Sequence, residues 1–437
     1  MISSRKALWS VLATIILLVL VTGCNDTLRQ FITPVPAPGG DPAAFSHAIV
    51  LSTNPAVPGD GSSAVGSNLH IDVSGDTVVG VVSVGPQPLF LGKSTNRVFV
   101  LNAGTPAIPA TVTSYIGLLP LSSTISTVTL PPGTVGRGGG FSSAGNFYVA
   151  NSAGGDVSMI AAAVNAVTAS VAVGTNPVAV AGNSSNNKIY VVNQGSNNVT
   201  VISGIDNFVV KTIPVGTSPV WGVMAPDGVH VFIVNQGSNS VSVIDTLLDQ
   251  VIATIPVGIS PNYAVFEPKN QRVYVSNTGS AFISVIKANG IDLANQILPT
   301  KIADIPIAAP ATSVAALPDG TRAYAALGGC PAGTNHTNII ANISSCPGNR
   351  VAVIDALALT QTKLVTVGAG AVSIDAANNS ARVYVVGANA GNVSIIKTAG
   401  DTVLTSLPAP QQSLGCQNPN ACPQNATQIP FQVRIFP

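Results

Sequence analysis

The side chains that most often carry catalysis or bind metal ions are scarce in this chain of 437 residues. It contains one glutamate, Glu267, and four histidines, His47, His70, His230 and His336. No two histidines are four residues apart, no C-x-x-C-H haem-attachment phrase occurs, and no carboxylate spacing indicates a glycoside hydrolase. No serine stands in a nucleophile elbow. We therefore predict no catalytic residue, no metal site and no cofactor, with His230 partly buried in a strand and His336 exposed to solvent.

The elements that would position any site repeat at a fixed interval. Four asparagines, Asn151, Asn193, Asn235 and Asn277, are each separated by 42 residues and close near-copies of one phrase, YVAN, YVVN, FIVN and YVSN. A fixed period of this length indicates a structural unit that cannot bury its apolar face alone and must stack against copies of itself.

One copy of the unit, residues 177–216, contains four short apolar runs rich in Val, Ile and Tyr. They are bounded by Gly, Asn, Ser and Pro, which predicts strands joined by tight hairpins. The phrase P-D-G at 226–228 and 318–320 supplies turn residues between two such runs. Four antiparallel strands per period, arranged around an axis, form the blade of a β-propeller.

The phrases themselves resemble a known repeat. YV-x-N, then GS, then VSVID at 241–245 and VIATIPVG at 251–258 are similar to the YVTN-type β-propeller repeat of bacterial and archaeal surface and periplasmic proteins. The resemblance is close from about residue 147 to 290 and looser over 46–146 and 291–408. Leu327 and Gly387 stand in the asparagine position of two copies that carry insertions.

The number of copies predicts how the ring closes. The second-strand phrase occurs eight times, and seven blades would result if one of the two weaker early copies is not a blade. The first copy lacks an inner strand, whereas the tail, residues 430–436, is an alternating apolar segment without a blade of its own. We predict an all-β, single propeller of four-stranded antiparallel blades, closed by pairing of the N- and C-terminal strands. The occurrences are 48–51, 97–100, 147–149, 188–191, 229–232, 272–275, 322–325 and 382–385.

The amino-terminal segment has the features of an export signal. In residues 1–23, two basic residues precede an apolar stretch, residues 7–21, which is too short for a spanning helix. The phrase VTGC at 21–24 resembles the bacterial lipobox, in which diacylglycerol is attached to the cysteine and cleavage makes it the new amino terminus. We predict a bacterial lipoprotein anchored through Cys24, in preference to an ordinary signal peptide with a chance cysteine.

Four regions follow from these patterns: a lipoprotein signal peptide (1–23), a lipidated cysteine with a Pro/Gly-rich tether (24–45), the propeller (46–408), and a disulfide loop with the closing strand (409–437). A tether of this composition, partly polyproline II, could hold the ring up to about 60 Å from the membrane.

Four cysteines remain after Cys24, and an even number in an exported chain indicates disulfides. Three pairings are possible, and we favour the two local bridges, Cys330 with Cys346 and Cys416 with Cys422. The first would contribute about 3 kcal/mol from chain entropy. A four-thiolate zinc site is the rival interpretation, but neither pair has the C-x2-C spacing that such sites favour.

Composition limits the classes of partner. Hydrophobic residues make up 46% and charged residues 8% of the chain, but after the signal the apolar runs have only strand length. Cleavage of the signal leaves 16 of the 18 basic residues against 17 acidic ones, so phosphate neutralisation cannot drive nucleic-acid binding. We predict contact with a membrane through the lipid anchor only, and a monomer.

One row of residues is a candidate ligand-binding site. Aligning the copies places Arg137 beside two large aromatic residues, Trp221 and Tyr263, at the start of inner strands next to the central channel. Such a group could bind an anionic or sugar-like ligand by a charge contact and stacking. The competing interpretation, which we favour, is that the aromatic residues plug the channel. The full row is Pro88, Arg137, Ala179, Trp221, Tyr263, Ser313 and Ser373.

Two functions are compatible with these features. The first is a lipid-anchored, extracytoplasmic binding or scaffolding module for a protein, glycan or cell-envelope partner, at the periplasmic face or cell surface. The alternative, which the YVTN-type resemblance permits, is a propeller enzyme or an electron-transfer accessory related to haem d1 proteins or lactonases. The absence of a recognisable catalytic or ligating set favours the first.

Overall fold

Strands form wherever the sequence has its short apolar runs. The computed structural model describes residues 47–53, 65–94, 97–103, 109–117, 125–183, 185–291, 293, 295–412 and 426–436. These residues belong to one compact unit, residues 34–437. The predicted signal, Cys24, the predicted tether, and the pair Cys416 and Cys422 lie outside the described residues.

The strands of the described residues assemble into eight four-stranded antiparallel sheets, which we call blades 1 to 8 in chain order. This confirms the predicted all-β propeller with eight blades, not seven. Blades 2 to 8 each run from an innermost to an outermost strand along the chain, whereas blade 1 takes its innermost strand from the C-terminus.

The strands are grouped here by their position in the blades, starting with blade 1. The innermost strands are β34 (Ile429–Phe436), β4 (Pro88–Ser94), β8 (Gly136–Phe141), β12 (Pro177–Gly182), β16 (Pro219–Met224), β20 (Pro261–Glu267), β24 (Ser313–Ala316) and β28 (Ala371–Ala376). The second strands are β1 (His47–Thr53), β5 (Arg97–Asn102), β9 (Phe147–Asn151), β13 (Lys188–Asn193), β17 (His230–Asn235), β21 (Arg272–Asn277), β25 (Arg322–Leu327) and β29 (Arg382–Gly387). The third strands are β2 (Val65–Asp72), β6 (Thr111–Ile116), β10 (Asp156–Ala161), β14 (Asn198–Ser203), β18 (Ser240–Asp245), β22 (Phe282–Lys287), β26 (Arg350–Asp355) and β30 (Asn392–Lys397). The outermost strands are β3 (Thr77–Pro86), β7 (Ser126–Thr129), β11 (Ala166–Ala172), β15 (Val209–Pro214), β19 (Gln250–Pro256), β23 (Thr300–Pro306), β27 (Thr360–Thr366) and β31 (Thr402–Pro408).

Few elements lie outside the blades. A two-stranded ladder joins β32 (Gln411–Gln412) and β33 (Ala426–Thr427) before the closing strand. The helix α1 (Ile339–Asn342) and a 3₁₀ turn (Ile343–Ser345) form part of an insertion between β25 and β26. No helix in the described part of the chain is long and apolar enough to cross a membrane.

The closing strand joins the two ends of the chain. Strand β34 pairs antiparallel with β1, with Val433 opposite Val50 and Arg434 opposite Ile49. It also contacts the innermost strands of blades 2 and 8, so the innermost strands form a closed cycle. The predicted closure is confirmed, and it removes the exposed edges that an open ring would present.

Burial falls from the second strand outward. Strands β13, β17 and β21 are buried almost throughout, because blades pack on both of their faces. The outermost strand β15 alternates weakly and exposes most of its residues. The apolar core therefore consists of clusters between neighbouring blades, as expected for a stacked repeat.

The repeated asparagine joins the second strand to the third within its blade by a side-chain hydrogen bond. The Nδ2 atoms of Asn193 and Asn235 donate to the hydroxyls of Thr200 and Ser242, each seven residues later, at 2.9 Å. All four repeated asparagines are fully buried. A Cβ atom on Gly216, where the chain enters blade 5, would lie 2.7 Å from the Asn235 amide, so only glycine fits beside this asparagine.

The repeated tyrosine joins its blade to the next one. Tyr190 of β13 donates its hydroxyl hydrogen to Asp249 of blade 5 over 3.0 Å, and Lys188 forms an ion pair with the same carboxylate at 2.6 Å. Asp249 occupies a left-handed turn position, φ 50°, which aspartate and asparagine tolerate better than most residues. The equivalent bonds are Tyr148 to Asn207, Tyr324 to Asp401 and Tyr384 to Asp76.

The junction between blades 6 and 7 has the tyrosine but lacks this bond. The turn position of blade 7 is Leu359, and the buried Tyr274 hydroxyl that would meet it has no hydrogen-bond partner. Arg272, next to Tyr274, donates instead to the backbone carbonyl of Ala356. The junction between blades 6 and 7 is held instead by apolar packing, by this arginine contact, and by the amides of Asn262 and Asn270, which donate to the carbonyl oxygens of Thr312 and Gly320.

These two junctions provide a matched test. We expect Tyr190→Phe to lower the free energy of unfolding by about 1.5 kcal/mol, because it removes a buried bond to a carboxylate. Tyr274→Phe should change it by less than about 0.5 kcal/mol, or stabilise the protein, since the lost hydroxyl has no partner. Chemical denaturation of both variants measures the difference, and equal losses would contradict the role of the tyrosine–aspartate bond.

Candidate functional site

One end of the central channel is covered by the insertion between β25 and β26, residues 328–349. We call this end of the ring the insertion face. The insertion leaves blade 7 and reaches across the ring. Gly333 donates its backbone N–H to Thr278 of blade 6, Asn335 donates to Gln236 of blade 5, and His336 contacts the carbonyl oxygen of Val178 in blade 4.

Two further contacts complete the cover. Arg137 of blade 3 donates from Nη1 to the carbonyl oxygen of Thr337 over 3.1 Å, and Asn389 of blade 8 donates to that of Cys346 over 3.0 Å. The insertion thus bonds to five blades besides its own. The disulfide between Cys330 and Cys346 joins its two ends, which confirms the first of the two predicted bridges.

The predicted row needs correction in two blades. Pairing with the second strands places Phe90 and Gly138, rather than Pro88 and Arg137, at the positions equivalent to Trp221 and Tyr263. Shorter hairpins join the inner to the second strands of these two blades: Phe90 pairs with a residue 11 positions later and Gly138 with one 12 positions later, against 13 for Trp221 and Tyr263. A constant spacing from the second-strand phrase therefore misplaces the row there. A β-bulge lies just before this position in both strands. Arg137 occupies the bulge position itself.

Trp221 and Tyr263 do meet at the channel. Their ring centroids are 4.9 Å apart, and the Trp221 indole N–H donates to the carbonyl oxygen of Ala264 in blade 6. The imidazole of His336 lies edge-on to Trp221, with centroids 5.1 Å apart. The expectation that His336 is exposed to solvent is therefore wrong: its Nδ1 atom is buried and has no hydrogen-bond partner.

The residue that the sequence did not indicate is Arg434. It lies on the closing strand of blade 1, diametrically opposite blade 5, and its guanidinium carbon is 5.9 Å from the Trp221 ring centre and 5.5 Å from that of Tyr263. Its Nη1 donates to the Tyr263 hydroxyl over 2.9 Å. Arg434 thus crosses the channel and brings a cation against two aromatic rings.

The electrostatics of this end are dominated by arginine. Burial lowers the pKa of His336 to about 4, the Val178 carbonyl opposes this shift, and the charges of Arg434 and Arg137 reinforce it. Burial raises the pKa of Asp375, while Arg434 acts in the opposite direction. Both oxygens of Asp375 accept backbone N–H groups, from Ile435 and Ala376. Among the ion pairs of the described residues, none includes Arg434.

A cavity of about 60 Å³ lies between the insertion and the ring. The insertion contributes Thr334, Asn335 and His336 to its lining, and the ring contributes Trp221, Tyr263 and Arg434, together with other residues. A water molecule needs roughly 10–15 Å³ on this measure, so the cavity has room for a few waters or one small ion.

The remaining candidate residues have structural roles where the structure describes them. Glu267 is fully buried and accepts backbone N–H groups of the turn that follows it, from Lys269 and Asn270. His230 is buried, as predicted, and lies 3.3 Å from Asp227. Within the described residues, no cluster of three His, Cys, Asp or Glu side chains could hold a metal ion.

Comparison with known proteins shows the fold and no more. No family model matches the chain, and no curated protein matches it. It is similar to the dihydro-heme d1 dehydrogenase NirN, solved in complex with DHE, with a TM-score of 0.62 and 14% identity over 85% of this chain and 75% of that one. It is also similar to apo AztD from Citrobacter koseri, with a TM-score of 0.58 and 11% identity over 90% and 98% of the two chains.

A third similar structure is PpgL, the periplasmic gluconolactonase of Pseudomonas aeruginosa, with a TM-score of 0.53 and 13% identity over 90% of this chain and 99% of that one. Enzymes and a haem d1 protein thus share this architecture. Identities this low establish a common propeller fold, while the function must be argued from the site. The YVTN-type resemblance and the lipid anchor stay predictions.

The buried histidines make stability depend on pH. Since the pKa of folded His336 is about 4 and that of an unfolded histidine is about 6.5, the unfolded state binds the extra proton between these values. The contribution of neutral, buried His336 to the free energy of unfolding is fully present above about pH 6.5. As the pH drops towards 4, this contribution falls by at most about 1.4 kcal/mol per pH unit. His70, whose pKa burial lowers to about 3, contributes in the same direction.

We therefore expect His336→Gln to flatten the plot of unfolding free energy against pH between about 4 and 6.5, without abolishing the slope that His70 leaves. Denaturation at a series of pH values measures the slope in both proteins. Identical slopes would mean that His336 is already solvated in the folded state.

Proposed function

We propose that this protein is an exported, lipid-anchored binding module of the bacterial cell envelope, and that its ligand site is the covered end of the channel. The observation that carries this proposal is the guanidinium of Arg434, held between two aromatic rings next to a small cavity. The ligand class that fits is a small anion or a small polar molecule.

The hydrogen bonding of Arg434 supports a ligand. A guanidinium has five N–H donors, and this one makes a single hydrogen bond, to Tyr263. None of its nitrogen atoms is among the buried atoms that lack a partner, so its free donors are accessible from the cavity. Planar guanidinium groups recognise carboxylates and oxyanions with two parallel bonds. The side chain of His336 also lines this cavity.

Export is supported by the disulfide and by the amino-terminal phrases. A bridge between Cys330 and Cys346 is stable in an oxidising compartment. The near-neutral composition leaves amides and hydroxyls as the main hydrated groups, which argues against nucleic acid as a partner. An envelope protein or glycan is the partner that these features favour, and the insertion face offers a polar surface for it.

A haem-type cofactor fits the described residues poorly. Haem iron needs an axial His, Cys, Met or Tyr ligand. Cys330 and Cys346 are bonded to each other, and the Nε2 atom of His336 is engaged with Val178. The cavity of about 60 Å³ is also far smaller than a tetrapyrrole requires. We therefore derive no step through such a group.

The proposal predicts that small anions stabilise the mature chain. Acetate, phosphate and sulfate would be compared by thermal unfolding at constant ionic strength, and an anion at 100 times its dissociation constant should add about 2.7 kcal/mol. Arg434→Gln should abolish this gain and Arg434→Lys should reduce it. Arg350→Gln, an exposed arginine on the insertion face, is the matched control and should leave it unchanged.

A second variant distinguishes a ligand-binding role of the aromatic pair from a role in closing the channel. If the aromatic pair serves a ligand, Trp221→Ala should weaken anion binding with thermal stability nearly intact. A large loss of stability, with no anion effect in the unmodified protein, would instead establish that Trp221 and Arg434 only seal the channel, and the proposal would fail.

A further inference from the structure

The exposed apolar side chains of the described residues gather at one end of the ring. The most exposed are Ile205 (81%), Phe208 (71%), Leu247 (70%), Leu357 (70%) and Val164 (66%). They lie in the turns that join third strands to outermost strands, or directly beside them. We call the end of the ring that carries these turns the turn face.

The opposite end has a different composition. The hairpins there, which join second to third strands, have the sequences QGSN at 194–197 and 236–239. Ile259, 57% exposed, is the single large apolar residue of the insertion face among the exposed ones in the described ranges. Scattered apolar residues on a protein surface are normal, but a concentration on the turns of one face indicates an interaction surface.

The chain enters the ring at this same turn face. His47, the first described residue, pairs with Asp72, the last residue of β2, and third strands end at the turn face. The predicted anchor, Cys24, precedes His47 by 23 residues. A lipid on that cysteine would therefore lead the chain from the membrane directly to the apolar turns.

Ion pairs of the described residues concentrate at the turn face, whereas Asp206, between Ile205 and Phe208, belongs to none of them. Four of the five ion pairs of the described residues lie at this end, including Lys188 with Asp249 at 2.6 Å and Arg382 with Asp76 at 2.8 Å. Paired charges cost less to dehydrate than isolated ones. Lys211, whose ammonium group reaches the carbonyl oxygen of Leu248, places a cation beside the apolar turns, where it can meet lipid phosphates.

From these observations we infer that the turn face lies on the lipid bilayer, with Ile205, Phe208, Leu247 and Leu357 inserted at the boundary between headgroups and acyl chains. This inference takes its anchor from the proposed function. We infer that lipid, rather than a second copy of the chain, covers the turn face, because the chain entry and the apolar turns share this face. The covered channel end would then point away from the membrane.

Tryptophan probes on the full mature chain test this orientation. Phe208→Trp and Leu247→Trp place probes on the turn face, and Ile259→Trp is the matched control on the insertion face. The background is low, because the natural tryptophans are Trp9 in the predicted signal and Trp221 in the channel. The protein is mixed with vesicles of phosphatidylethanolamine and phosphatidylglycerol that contain phosphatidylcholine brominated on its acyl chains.

We expect the two turn-face probes to lose emission through bromine quenching and to shift to shorter wavelength, while the control does neither. Unquenched probes on vesicle-bound protein would overturn the inference. So would quenching of all three, or burial of the turn-face probes in a lipid-free dimer detected by sedimentation.

The anchor is judged separately by the mass of the amino-terminal peptide. A chain without diacylglycerol on Cys24 contradicts the proposed anchor. The probes still report on that chain, because quenching of its turn-face probes upon sedimentation with the vesicles supports the surface and a lack of quenching rejects it.

Discussion

At four of the junctions between described blades, the tyrosine hydroxyl of one blade bonds to an aspartate or asparagine in a turn of the next. Tyr190 with Asp249 and Tyr384 with Asp76 are two examples, and the second joins blade 8 to blade 1. The turn needs a residue that tolerates a left-handed backbone, and the tyrosine needs an acceptor. Aspartate and asparagine meet both needs, so one residue sets the turn and the angle between blades.

Much of this architecture could be predicted from the sequence, because each repeated phrase has the same structural role in every blade that carries it. The asparagine period locates the second strands, and the apolar tail without a blade predicts β34. The position of Arg137 was predicted wrongly, because the hairpin between the inner and second strands of blade 3 is one residue shorter than in blades 4 to 6. Arg434 was missed because the closing strand has no repeat beside it with which to align. The contacts of the insertion with five other blades could not be predicted either, because they join residues that are far apart in the sequence.

The two ends of the ring differ although the blades that form them are equivalent. A single insertion in blade 7 covers one end, where it encloses a cavity together with Arg434, Trp221 and Tyr263 of the ring. The turns at the other end keep their backbone geometry but carry leucine, isoleucine and phenylalanine at positions that packing does not require. Both differences arise in connecting segments, where a repeat scaffold tolerates change without loss of its core.

The origin of Arg434 on the last strand has a temporal consequence. Most side chains of the pocket belong to blades that can be completed from neighbouring sequence, whereas Arg434, with Phe431 and Gln432, arrives only when the carboxyl end of the chain pairs with β1. A polypeptide that has not yet reached its last strand, or one whose translation stops early, would present neither a closed ring nor this guanidinium at the channel. The proposed anion site would thus form only when synthesis and folding are complete.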